Sequence, residues 1–312
     1  MTAEVIGHPD CSHICGVGTL GHHREVPEVG AKGVEDQIDE HEATVGCSKM
    51  AHTSHTLAEV PIDVAAYLER IGFVRTPHVD FATLAELQQL HMTAVPFENL
   101  DVALGSGVTV DPAVAIEKIV EQGRGGWCFE VNGAFATLLT ALGFDVLLLG
   151  AAVLLGGPSR VIDHVALEVM LDGPYLTDVG FGDSFTRPLA LNAAGPQPGG
   201  NGDYEFIASP QGTTLAKLDD GVPVAQYRFK RVAHTLEQFA PASDALQSDA
   251  TGTWRTKPFA TRLINRGPDR VTLTSDRLKF NQRGVRTEEM VPADEWHGAL
   301  DTWFGIRLDP ED

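Results

Sequence analysis

The spacing of apolar positions changes character twice along the chain. From Pro61, the residues Val64, Tyr67, Leu68 and Ile71 recur at i, i+3, i+4 and i+7. That spacing predicts an amphipathic helix with Asp63 as N-cap and Gly72 as its stop. A second helix is predicted from Thr83, where Thr83 and Glu86 form a capping-box pattern and Leu84, Leu87 and Leu90 or His91 supply the buried face. A third has Asp111 as cap and Pro112 at the first helical position, with Ile116, Ile119 and Val120 inward. A fourth runs from about Cys128 to Leu142, burying Phe135, Leu138, Leu139 and Leu142 before Gly143 ends it. Four helices in succession predict a helical bundle.

After Gly143 the period of 3.6 disappears. Val146 to Leu155 is an almost unbroken aliphatic run, as in a buried strand, and Val165, Leu167 and Val169 alternate with their neighbours as in a strand with two unlike faces. Leu171-Asp172-Gly173-Pro174 is a turn signal, and Tyr175 to Val179 returns as the partner strand. Ala193 to Gly202 reads as a loop, and further strands are expected near Tyr204 to Ala208, Thr214 to Lys217 and Val224 to Val232. Leu236 to Phe239, Phe259 to Ile264, Val271 to Ser275 and Trp296 to Phe304 then mix helix and strand.

Before Pro61 neither period is sustained. Met1 to Lys49 carries nine acidic residues against three basic ones, holds Cys11, Cys15 and Cys47, and is rich in histidine. Such a composition buries too little apolar surface to offset the entropy of ordering. Residues 1–58 therefore read as a disordered extension, with Met50 as an alternative start. The expected organisation of the remainder is a helical bundle over 59–143, a β-barrel over 144–235 and an α/β lid over 236–312.

The formal net charge of −20 makes nucleic acid an unfavourable partner, because such a surface repels phosphate backbones. No run of apolar residues is long enough to span a membrane, and the first residues lack the pattern of a signal peptide. Four unevenly placed cysteines do not resemble a disulfide framework. A reducing, cytoplasmic setting fits better and leaves a thiol available for chemistry.

Arg124-Gly125-Gly126-Trp127-Cys128-Phe129-Glu130 is the most informative stretch. Two glycines permit a tight entry, after which Cys128 falls at a helix N-terminus, where unpaired amides and the helix dipole favour a thiolate. The alternative is a structural cysteine in the core. A cysteine nucleophile needs a base, and the base needs an orienting group. Downstream of Cys128 only His164, His234 and His297 remain. His164 opens the alternating strand, and Asp178 lies among apolar residues on the returning strand, where a buried acid requires a partner. Direct opposition of His164 and Asp178 centres the hairpin near Leu171, whereas Asp172-Gly173 centres it about one residue later. A bulge or diagonal pairing must absorb the difference.

Several ordered segments of the chain resemble the arylamine N-acetyltransferases. They are Val95-Pro96-Phe97-Glu98-Asn99-Leu100-Asp101, Arg124 to Glu130, Asp163-His164-Val165-Ala166-Leu167, and Leu176 to Gly182. The resemblance covers about Ile62 to Leu308. It implies an α+β fold in which an N-terminal helical bundle, a central antiparallel β-barrel and a C-terminal α/β lid surround a triad arranged as in cysteine proteases and transglutaminases. It implies Cys128 as nucleophile, His164 as base and Asp178 as orienter. Arg124 and Glu98 align with a buried ion pair that braces the site; Phe97, Val153 and Phe259 align with residues lining the acceptor pocket, where plain core packing is the competing role. Gly180 and Gly182 lie where the family passes the phosphates of its cofactor. The implied co-substrate is acetyl-CoA, with no metal, and the implied acceptor is a small aromatic amine or hydrazine.

Trp127 stands where many relatives carry Tyr, and Leu154 to Pro158 lacks an aromatic expected there, which bears on acceptor preference. Two other readings keep the chemistry of the thiol: closure of a macrolactam by a relative of the same family, or amide hydrolysis by a Cys-His-Asp site. A third, separate reading places a zinc module at Cys11, His13, Cys15, His22, His23 and Cys47, in an irregular layout for zinc ligands.

Overall fold

The computed structural model describes Leu57, residues 60–155 and residues 162–308. The acidic extension, the zinc reading placed on it and the segment from Gly156 to Val161 lie outside the described residues.

Helix α1 (Val64–Ile71) has Asp63 accepting from the Ala66 amide and ends at Gly72 in the left-handed conformation. Helix α2 (Phe81–Ala94) begins two residues before the expected Thr83, because Asp80 takes the cap and accepts from the Thr83 amide. The Thr83 hydroxyl instead accepts from the His78 amide and from Arg75, while Glu86 pairs with Arg75. The two residues of the capping-box pattern thus lie within the helix and hold the loop before it. A two-residue strand β1 (Phe97–Glu98) and a short helix α3 (Leu100–Leu104) follow, then α4 (Pro112–Val120), capped by Asp111 with Pro112 in its first turn. Helix α5 (Cys128–Ala141) is buried on all sides from Cys128 to Leu139, which makes it the axis of the helical part rather than a surface helix.

Eight antiparallel strands form a nearly closed barrel: β2 (Asp145–Val153), β3 (His164–Met170), β4 (Pro174–Thr177), β5 (Leu189–Ala190), β6 (Gln197–Pro198), β7 (Asp203–Ser209), β8 (Gly212–Asp219) and β9 (Val222–His234). Their order is β5-β4-β3-β2-β9-β8-β7-β6. The two edges meet through one side chain: Gln197 accepts from the Ala190 amide at 2.7 Å and donates to the Ala190 carbonyl at 3.0 Å. Closure removes exposed edges that would otherwise pair with other chains. The unbroken aliphatic run in β2 has its reason here. Val146 and Leu148 face the helices, whereas Leu149 and Ala151 face the barrel interior with Ala166, Tyr204 and Tyr227.

The chain then passes through a 3₁₀ turn at Leu236–Phe239 and two helices, α6 (Ala240–Ser248) and α7 (Thr253–Thr256). A second antiparallel sheet is completed by β10 (Ala260–Leu263), β11 (Arg270–Leu273), β12 (Arg277–Gln282) and β13 (Val285–Met290), covered by helix α8 (Trp296–Phe304). Its far edge is β1, since Phe97 and Glu98 pair with Thr261 and Ala260. The helical part therefore donates a strand to the C-terminal sheet. Among the described residues no helix is long and apolar enough to cross a membrane.

Phe135 is wholly buried in α5 and touches the His91 ring of α2, with ring centroids 5.0 Å apart. Phe135→Ala should lower unfolding stability by about 3–5 kcal/mol, read as a lower denaturant midpoint at an unchanged slope.

Candidate active site

Three segments converge at the head of α5. Cys128 is its first residue and is 4% exposed. The turn that delivers it needs glycine for space rather than for a left-handed backbone: a Cβ at Gly125 would stand 1.8 Å from the Pro96 carbonyl oxygen, and one at Gly126 would stand 2.5 Å from Glu130 Oε2. The left-handed glycine of this turn is Gly123, just upstream. Strand β1 runs against the turn, with the Glu98 amide donating to the Gly126 carbonyl at 3.0 Å.

His164 opens β3 and Asp178 follows β4. The hairpin register pairs Met170 with Pro174 and Leu167 with Thr177, so its centre is Asp172. Continued, this register sets Asp178 opposite Ala166, two positions from His164 and on the same face. The two side chains meet on the diagonal, His164 Nε2 lying 2.7 Å from Asp178 Oδ2. The ring sits at the barrel rim between Phe181 and Tyr227, with centroids at 5.0 and 5.1 Å. Burial by itself depresses the pKa of an imidazole, but the Asp178 charge and hydrogen bond outweigh it, and Cys128 adds a hydrogen bond and a charge of its own. The net effect raises His164 from 6.5 to about 10. With Nε2 committed to Asp178, Nδ1 is the ring nitrogen left for the sulfur. Cys128 Sγ also lies 4.0 Å from the Asp163 carbonyl oxygen, at the residue before His164.

Asn132, one turn after Cys128 on the same helix face, joins all three segments. Its amide donates to the Val165 carbonyl at 2.8 Å and to Asp178 Oδ1 at 2.9 Å, and its oxygen accepts from the Val179 amide at 3.0 Å. Gln88 of α2 supports the acid loop from the other side, donating to the Phe185 and Asp178 carbonyls and accepting from Thr177. The i, i+4 spacing from Cys128 marks Asn132 in the sequence; Gln88 carries no such signal.

A family model described as N-acetyltransferase matches residues 80–312. The chain belongs to the N-acetyltransferase family. Human arylamine N-acetyltransferase 1 is 29% identical over 279 residues, spanning 79% of this chain and 95% of that protein. Among solved structures, the Mycobacterium marinum arylamine N-acetyltransferase in complex with CoA matches with a TM-score of 0.73 at 28% identity, over 78% of this chain and 93% of that one. The Salmonella typhimurium arylamine N-acetyltransferase matches with a TM-score of 0.75 at 26% identity, over 79% and 92% of the respective chains.

In this acyltransferase Arg124 and Glu98 lie within a larger buried cluster. Arg124 Nη2 lies 2.9 Å from Glu98 Oε1 and 2.7 Å from Asp101 Oδ1, and Lys118 Nζ lies 2.7 Å from Asp101 Oδ2 and 2.8 Å from Glu130 Oε1. Burial opposes the charge on Lys118, yet Glu98, Glu130 and Asp101 together lift its pKa above the usual lysine value. Phe97 and Phe259 come together with ring centroids 5.5 Å apart, and Trp254 completes an aromatic wall with them. Val153 packs against the barrel core, paired in register with Tyr227, and its amide donates to Asp163 Oδ1, at the residue before His164, at 2.8 Å. Asn99 holds the wall in place: its amide nitrogen donates to the Trp254 and Lys257 carbonyls, and its oxygen accepts from the Phe259 amide. Gly180 is a close-packing position, since a Cβ there would stand 2.8 Å from Cys128 Cα and from Asn132 Nδ2. Gly182 adopts φ +77 in a turn beside the Phe97 ring. The glycines at 180 and 182 thus have structural reasons of their own. Among the described residues no cluster suits a metal ion.

Asn132→Ala strands the Val179 amide and the Val165 carbonyl, and should lower stability by about 1–3 kcal/mol, measured by chemical denaturation. The pKa of His164 is raised above its unfolded value of 6.5 to about 10. Its protonation therefore adds stability that is full below the unfolded value and is lost as pH rises through the folded one. Denaturant midpoints of the wild type should fall between roughly pH 6.5 and pH 10, and Asp178→Asn should flatten that limb.

Proposed function

We propose that this enzyme transfers an acetyl group from acetyl-CoA to small aromatic amines and hydrazines through an acetyl-cysteine on Cys128. The observation that carries this reading is the buried imidazole of His164, held by Asp178 at 2.7 Å and acting on the Cys128 sulfur at the head of α5. With its pKa raised, His164 holds a proton at neutral pH, and the sulfur attacks in its thiolate form, the nucleophilic form of any cysteine. The sulfur attacks the thioester carbonyl carbon, and the carbonyl π electrons move onto oxygen. Amides of the first helical turn have no partner inside the helix and suit that developing charge. The Trp127 amide is committed to Glu130, and the Glu130 and Val131 amides to the Trp127 carbonyl, which leaves those of Cys128 and Phe129. Collapse breaks the bond to the CoA sulfur, which departs with the proton from His164. The acceptor nitrogen then attacks the acetyl-cysteine, gives its proton to His164 and regenerates the thiolate. Dividing the transfer in this way produces ping-pong kinetics.

The aromatic wall of Phe97, Phe259 and Trp254 supports an aromatic acceptor, because ring faces and edges prefer one another over aliphatic contact. The loop Gly180-Phe181-Gly182 lies against Cys128 and Phe97, a position from which it could meet the CoA chain beside the thiol. A sulfur that must stay reduced and a CoA thioester as donor support a cytoplasmic setting.

Intact-mass spectrometry of the wild type with acetyl-CoA and no acceptor should show one acetyl group, located on Cys128. Cys128→Ala should take up none and turn over no arylamine while keeping the native circular dichroism. A wild type that releases CoA to the amine without ever carrying the label would overturn the covalent route.

A further inference from the structure

Glu130 stands two residues after Cys128, and its carboxylate works on both sides of the helix start. Oε2 accepts the Trp127 amide at 3.1 Å, and Oε1 accepts from Lys118 Nζ at 2.8 Å. The side chain folds back over Gly126, which leaves no room for a Cβ there. Glu130 therefore accounts for the second glycine of the turn and also fixes the peptide that enters the helix at Cys128. Lys118, reaching in from α4, holds the carboxylate in that orientation and is itself held by Asp101.

The groups facing Glu130 come from every neighbouring element. Glu98 comes from β1, Asp101 from α3, Lys118 from α4 and Arg124 from the glycine turn. Three carboxylates thus meet two cations. The surplus falls on Glu130, which burial, together with the Glu98 charge and against the pull of Lys118, raises from 4.5 to about 7. A carboxyl group near its midpoint at neutral pH is not chiefly a source of charge. What it supplies in either state is an acceptor oxygen aimed at the Trp127 amide, and an amide side chain of the same shape supplies that too.

We propose that Glu130 is a positioning residue for the acetyl-transfer step, fixing the Trp127–Cys128 peptide through the Trp127 amide, and that Lys118 holds it in the orientation that does so. The proposal rests on the reading of Cys128 as nucleophile. If Trp127 were released, the two free amides and the sulfur would lose their common geometry, since all three hang from that one turn of backbone.

The test is single-turnover acetylation of Cys128 by acetyl-CoA, followed by quenched-flow mass spectrometry. Glu130→Ala removes the acceptor atom, and its rate should fall by about 10-fold or more while the final extent of labelling stays complete. Glu130→Gln keeps the acceptor and should stay within about 3-fold of wild type. Slower acetylation at full extent separates loss of positioning from loss of folded protein, which lowers the extent instead. Lys118→Met leaves the carboxylate but frees it, and should fall between the two; it carries the test if the alanine variant does not fold. An alanine or methionine variant as fast as wild type would overturn the proposal, and so would a glutamine variant as slow as alanine. A wild type that never acquires the acetyl group would instead overturn the nucleophile assignment, so the two failures are distinct.

Discussion

A helix and a sheet packed through apolar contacts can slide by an ångström at little cost, and such a slide would separate a thiol on one from an imidazole on the other. The hydrogen bonds of Asn132 remove that freedom. One side chain on α5 ties the carbonyl beside His164, the carboxylate of Asp178 and the amide that follows it. Each of these groups is shielded from water, so breaking any one leaves a buried polar atom unpaired. Gly180 allows the approach, because its missing side chain lets the acid loop rest directly on the helix backbone at Cys128.

The electrostatics follow from the same burial. A histidine and an aspartate withdrawn from solvent stabilise one another as an ion pair, and Asp178 overcomes the desolvation that would otherwise keep His164 neutral. On the other side of Cys128, Lys118 and Arg124 meet Glu98, Asp101 and Glu130 in a second buried group. Clusters of this kind contribute little net stability over an apolar equivalent, but removing one member is strongly destabilising because a partner is left charged and dry. Their effect is to define one backbone arrangement for the glycine turn.

The stretch Phe97-Glu98-Asn99 shows how few residues connect the parts of the molecule. Phe97 belongs to the aromatic wall, Glu98 braces Arg124, and Asn99 clamps the Trp254–Phe259 segment. Its backbone is at the same time the edge strand of the C-terminal sheet. Helical part, glycine turn and C-terminal sheet are thereby fixed to one short piece of chain, and a site bounded by all three retains its shape.

Much of this was legible in the linear pattern. Period and caps define α1, α4 and α5 to within a residue or so, the change of period after Gly143 marks the start of the barrel, and the ordered motifs name the family and single out Cys128, His164 and Asp178, which the fold brings together. Short elements escaped: β1, β5 and β6 have two residues each, too few to show any period. The start of α2 was displaced because Asp80 and Thr83 are both competent caps locally, and only the fold of the preceding loop assigns each its partner. The contacts of Asn132 and Gln88, the company of Lys118 and the pairing of Val153 with Tyr227 join residues far apart in the chain. By itself the sequence determined which residues are chemically able to react and which local elements carry them, since periodicity, capping and turn chemistry act over a few residues. Tertiary structure alone decided the distances, the protonation of His164 and the role of each glycine, because those depend on which distant groups exclude water and occupy the remaining space.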